Sequence, residues 1–219
     1  MPSDSGRRRP RGYGLVLLAI VASIGVIALA SDSALGRLIA LVILAAALLL
    51  ALRDAHVPKP VQRLAQAIAV LAVLAEAVAL VAGGVPPAFT LILTLVLVGV
   101  TPVILGRRLV WNPEVTGQSL VGALCVYLLL GLFFSLVFSV TASVTGAPFF
   151  VAPENPTSAD FVYFSFVTLS TVGYGDFVAR SGLGHMLAVT EALGGQLYLV
   201  TVVALLVSNF RPRRITSDE

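Results

Sequence analysis

The sequence predicts an all-α membrane protein with six transmembrane helices, plus a short re-entrant helix and an irregular loop between the fifth and the sixth. Three observations carry that fold class. Of 219 residues, 58% are hydrophobic and 11% charged, where a soluble domain carries about 25% charge. The apolar residues lie in long blocks, and a block of about 18 or more can cross the hydrocarbon as a helix. The basic residues fall between those blocks in a one-sided pattern.

The blocks are Tyr13–Ala30, Leu35–Leu52, Val61–Ala82, Pro87–Leu105, Leu120–Val144 and Leu183–Asn209. With the N-terminus inside, the inner segments hold Arg7, Arg8, Arg9 and Arg11, then Arg53, Lys59 and Arg63, then Arg107 and Arg108, and finally Arg211, Arg213 and Arg214. These are twelve of the fourteen Lys and Arg, and only Arg37 and Arg180 fall outside. The loops are short enough for this bias to set orientation. An odd number of spans would put the C-terminal cluster on the wrong face. Both termini are therefore expected in the cytoplasm of a multi-pass protein of the cell membrane. Arg7–Arg11, the first apolar run and Ala28-Leu-Ala30 also outline a secretory signal. The run is long for one, so a retained signal-anchor helix is preferred. The basic tail at 1–12 reads as an inside-positive flank rather than a nucleic-acid-binding segment.

Several classes are excluded. A single cysteine, Cys125, permits no intrachain disulfide and reads as a packing residue. His56 and His185 show no zinc spacing, and no Walker or Rossmann loop is present. No acid/base or nucleophile pairing appears, so neither an enzyme nor a cofactor is expected.

The chemistry is concentrated at residues 155–176. Pro156 and Thr157 read as a helix start, with Thr157-x-x-Asp160 a capping box. A helix over Ser158–Ser170 would be about 19 Å long and would dip from the outer face to mid-membrane. Its C-terminal end, partially negative, favours a cation there. Thr171-Val-Gly-Tyr-Gly175 follows. Glycine accepts positive φ, so Gly173 and Gly175 let successive carbonyls turn to one side. Stacked rings of carbonyls can replace the water of a dehydrated cation, with the Thr171 hydroxyl as a last ring at the inner end. Val172 and Tyr174 then point away from the axis, and Asp176 sits at the outer mouth, concentrating cations. Irregular backbone at membrane depth is tolerated where protein buries it or where it lines a wet path.

In this setting Thr171-Val-Gly-Tyr-Gly-Asp176 resembles the selectivity filter of the potassium channel family, and the resemblance covers about residues 119–210. It implies potassium binding by the backbone carbonyls of Thr171, Val172, Gly173 and Tyr174 and by the Thr171 hydroxyl, with Gly175 completing the filter. It also implies a homotetramer, since one chain has one loop and the ring needs four. Potassium is then the permeant ligand, the partners are other copies and membrane lipid, and no nucleic acid is involved. The chain divides into a basic tail (1–12), a four-helix transmembrane domain (13–105), an interfacial linker (106–118) containing Trp111, a pore domain (119–210) and a short tail (211–219).

In the family, aromatic residues at the positions of Tyr163 and Phe164 form a cuff around the filter. Tyr163 can donate to Asp176 or the filter region, or simply pack. Val167 stands where some bacterial channels carry a glutamate behind the filter. Gly195, nineteen residues after Asp176, matches the family's hinge glycine and reads as a gating hinge or as a close-packing site. Gly184 matches another family glycine. Glu191, ionisable at depth, needs a partner or a wet cavity. It is expected to pack, protonated, against the helix that supports the filter or against a neighbour. Gln196, with Leu199 and Val203 at helical spacing, is expected to line the cavity.

In outline, six helices with the pore last resemble voltage-gated potassium channels. A sensing fourth helix needs several arginines at regular spacing; residues 87–105 have none, and Pro102 should kink that helix. Glu76 reads as a packing residue rather than a sensor counter-charge, and little voltage dependence is expected. Two other readings are a potassium transporter subunit and a non-conducting regulatory subunit. Transporters usually fuse four degenerate loops in one chain, and the intact filter argues against both.

Overall fold

The computed structural model describes residues 13–30, 33–54, 58–82, 86–111 and 117–208. The basic residues at 7–11, His56, linker residues 112–116, Asn209, Arg211, Arg213 and Arg214 lie outside these, as do the side chains of Arg108 and Trp111.

The elements are α1 (Tyr13–Ala30), α2 (Ala34–Asp54), α3 (Lys59–Val81), α4 (Pro87–Trp111), α5 (Gly117–Thr145), α6 (Ser158–Leu169) and α7 (Gly182–Tyr198). A π turn (Leu199–Val203) and α8 (Ala204–Ser208) continue α7 without a break. Among the described residues, six helical spans are long and apolar enough to cross a membrane, the last running through α7 and the π turn. The described chain contains no β-strand, only an isolated bridge between Phe150 and Ala179. The protein is an all-α integral membrane protein.

The largest difference from the sequence reading is in α4. As in the span read from the sequence, it runs through Pro102 as one element, and it reaches Trp111, so the first residues of the interfacial linker, 106–111, are helical. Proline removes one backbone donor from the ladder. Three threonines of α4 return their hydroxyls to the backbone: Thr90 to Pro87, Thr94 to Thr90 and Thr101 to Leu97, at 2.9–3.0 Å.

The core joins both halves of the chain. Val16 and Ile20 of α1, Leu48 and Leu52 of α2, Leu97 and Val98 of α4, and Val126 and Leu129 of α5 form one buried cluster. The buried face of α3 is Ala65, Ala69, Ala72 and Ala75, whose small side chains allow close approach to its neighbours. From the sequence Glu76 has no arginine ladder; in the structure the α2–α3 hairpin brings Arg37 beside it, Nε to Oε1 at 3.3 Å. Arg37, Glu76, Pro87, Gly146 and residues 154–158 line one cleft of about 910 Å³ and so share one end of the bundle.

Candidate ion-conducting site

The site is built on α6. Both arms of the capping box are present: the Thr157 N–H donates to Asp160 Oδ2 at 2.7 Å, and the Asp160 N–H donates to Thr157 Oγ1 at 3.4 Å. This fixes where a 12-residue helix begins. At about 18 Å it is a little over half as long as the hydrocarbon is thick. Phe161 and Phe164 join Phe134 and Phe138 of α5 and Phe149 and Phe150 of the preceding loop in an aromatic cluster. On another face of α6, Phe166 lies over Gly131, where a Cβ would come within 2.8 Å of the ring. Only a glycine on α5 admits that approach.

After Ser170 the backbone conformation alternates. Thr171, Gly173 and Gly175 have φ of 59°, 56° and 82°, while Val172 and Tyr174 between them do not enter the left-handed region. Alternating hands turn successive carbonyls to the same side. Two glycines meet this at no steric cost; Thr171, β-branched, is strained there. The N–H groups are tied back to the end of α6: Thr171 to the Thr168 carbonyl at 2.9 Å, Val172 to Val167 at 3.0 Å and Gly173 to Val167 at 3.4 Å. Among the described residues nothing donates to the carbonyls of 171–175. Two of the three N–H bonds end on the Val167 carbonyl.

Tyr163 and Phe164 part company. Phe164 is buried in the aromatic cluster, with its ring 5.1 Å from those of Phe138 and Phe150. Tyr163 instead donates its hydroxyl to Asp176 Oδ2 at 2.7 Å, and its ring packs edge-on to Phe177 at 5.5 Å. That hydrogen bond pushes the Tyr163 phenol above its usual value, so the donor stays protonated. Arg180 fixes the chain beyond: its N–H bonds the Phe149 carbonyl at 2.8 Å, and its guanidinium reaches Phe150 and Val151 carbonyls at 3.3 and 3.1 Å.

On α7 the buried residues are Gly184, Glu191 and Gly195. Gly195 abuts the end of α6: a Cβ there would stand 2.6 Å from Leu169 Cδ1 and 3.0 Å from the Leu169 carbonyl oxygen. The helix stays regular at Gly195 and departs to a π turn at Leu199–Val203. Gln196 and Leu199 are exposed and Val203 half-buried on the single chain. Gly184 is also tight, its Cβ position 2.9 Å from Ala179.

Several residues that hold this arrangement escape a motif search. Ser165 of α6 bonds both Gly131 and Glu191. Tyr127 and Tyr198 stack with ring centroids 6.2 Å apart, and Tyr198 donates to the Ala123 carbonyl at 2.8 Å, tying α7 to α5. Their available signal is polarity inside apolar blocks, which marks residues needing partners.

Residues 122–211 match the family model described as ion channel. The match begins within α5 and takes in α6, the loop and α7, and it supports an ion-channel domain in this part of the chain. Searches of curated proteins and of solved structures found no match.

Proposed function

We propose that the chain is one subunit of a homotetrameric potassium channel, which passes K⁺ down its electrochemical gradient with little voltage dependence. The observation that carries this is the alternation at 171, 173 and 175, with three N–H groups tied behind the loop and no donor on its carbonyls. Four such loops around an axis offer stacked carbonyl rings, the chemistry that replaces the hydration shell of K⁺. Carbonyls of Thr171, Val172, Gly173 and Tyr174 and the Thr171 hydroxyl are the ligands, Gly175 completes the turn, and Asp176 sits at the outer mouth.

The single chain leaves surface for its neighbours. Val172 is 52% and Tyr174 72% exposed, although both flank the filter. The span that includes α7 is the least buried of the six, while α5 is the most buried. An apolar inner helix bare on most faces suits a neighbouring subunit on one side and a cavity on the other, with Gln196, Leu199 and Val203 as lining. The one-sided distribution of basic residues supports a cytoplasmic position for Arg53, Lys59, Arg63 and Arg107, with both termini, in a protein of the cell membrane.

The test is flux from purified protein in liposomes. Barium-blocked K⁺ flux that exceeds Na⁺ flux supports the channel. Protein that assembles but carries no ion in any gradient overturns it in favour of a regulatory subunit, and flux against a gradient points to a transporter.

A further inference from the structure

Glu191 is wholly buried on α7, with Oε1 2.5 Å from Ser165 Oγ and Oε2 without a partner. Ser165 Oγ also lies 2.6 Å from the carbonyl oxygen of Gly131 on α5. One serine hydroxyl thus stands between two oxygens, and it carries a single proton. The Gly131 carbonyl can only accept, so that contact takes the serine's proton. The contact with Glu191 then needs a proton from the carboxyl.

We propose that Glu191 is a neutral carboxylic acid that donates from Oε1 to Ser165, which donates in turn to Gly131, and that this relay positions α6 between α5 and α7. The alternative is a carboxylate accepting from Ser165. It would leave two oxygens 2.6 Å apart with no proton between them and a buried, unpaired anionic Oε2, which is costly. With the acid neutral, Oε2 is only an unpaired carbonyl oxygen. Among the described residues no cation compensates a carboxylate here. The titratable groups on α5 are Cys125 and Tyr127, those on α6 are Asp160 and Tyr163, and α7 adds His185 and Tyr198. Of these, Tyr127 directs its hydroxyl to the Leu169 carbonyl. His185 is engaged with Ala179, and Arg180 is spent on loop carbonyls.

Glu191 is therefore a positioning residue, acting on the filter through Ser165 and α6. That consequence rests on the channel reading; the protonation state does not. The experiment is infrared spectroscopy of the purified protein in lipid at neutral pH, comparing the parent with Glu191→Gln. The expected result is a protonated-carboxyl C=O band in the parent that Glu191→Gln removes. Loss of a carboxylate band instead overturns the assignment. If the variant does not assemble, carbon-13 glutamate labelling of the parent reads the same point, because only a protonated glutamate shifts that band.

Flux then tests positioning. Gln keeps a donor and an acceptor, so Glu191→Gln should stay within about twofold of the parent, while Glu191→Leu, stranding the Ser165 oxygen, should lose about tenfold. Equal flux in all three overturns the positioning role. An acid band in a protein with no K⁺ flux overturns the channel reading and leaves the protonation state standing.

Discussion

The Tyr127 hydroxyl of α5 lies 3.3 Å from the carbonyl oxygen of Leu169, the last residue of α6. The end of the helix that carries the 171–175 loop is thus held from α5 by a hydrogen bond. From α7 it is held by Gly195, which lies against the same residue. Tyr127→Phe removes the bond and keeps the stack on Tyr198. The bond is long, so the loss should be about 0.5–1.5 kcal/mol. Thermal unfolding of the reconstituted protein should fall by a few degrees while K⁺ selectivity stays within about twofold. A large loss of selectivity would show that this bond sets the loop conformation itself.

Gly195→Ala separates a hinge from a contact. The added methyl meets Leu169, whereas at Gly194 nothing lies within 4 Å. Overpacking of this kind costs about 1–3 kcal/mol. Gly195→Ala should lower stability and disturb conductance, and Gly194→Ala should do neither. A hinge predicts another pattern in single-channel records: unaltered conductance with altered open probability. The π turn at Leu199–Val203 is the place where this helix leaves regular geometry, and such turns bend helices.

The spans were legible because apolar blocks of this length have no other stable use. The start of α6 was legible because Thr157 and Asp160 form a local motif that needs no tertiary partner. Thr171 was not: nothing marks a β-branched residue as left-handed until the loop around it is built. The Arg37–Glu76 pair depends on the register of a hairpin, and the Ser165–Glu191 contact on how deep α6 sits against α7. Neither depth nor register is written in local spacing. The fourth span, read from the sequence through Pro102 to Leu105, runs on to Trp111, because the end of a helix past an apolar block has no strong local mark.

Tyr163→Phe tests the outer mouth. It deletes the hydrogen bond to Asp176 and keeps the ring contact with Phe177. Asp176 then loses a donor that orients its carboxylate. On the proposed reading, current through the variant should decay faster than the parent's at low external K⁺, with initial selectivity preserved. Unchanged decay would mean that the bond is only a surface contact.

Arg37→Gln probes the first four helices. The arginine side chain is 45% exposed and that of Glu76 14%, and pairs of this kind contribute about 0–1 kcal/mol. The variant should lose little stability, and open probability should keep the same shallow dependence on voltage. A changed slope would make this pair part of a sensor.

Thr171 is where stability and selectivity should pull apart. Its φ of 59° costs about 1–2 kcal/mol for a side chain of this kind. The strain is held by its N–H bond to Thr168 and by the alternation the loop requires. Thr171→Gly relieves the strain and deletes the hydroxyl, so the protein should gain up to about 1 kcal/mol while K⁺ binding at the inner end weakens. Thr171→Ser keeps the hydroxyl on an unbranched Cβ and should stay close to the parent in selectivity. Thr171→Val keeps the branch, hence the strain, and loses the hydroxyl, so it should be no more stable than the parent and block less readily with barium. Denaturation and barium titration of the three variants together decide the matter. If Gly is no more stable than Val, the strain is not stored at this residue. If Val blocks like Ser, the hydroxyl is not a ligand.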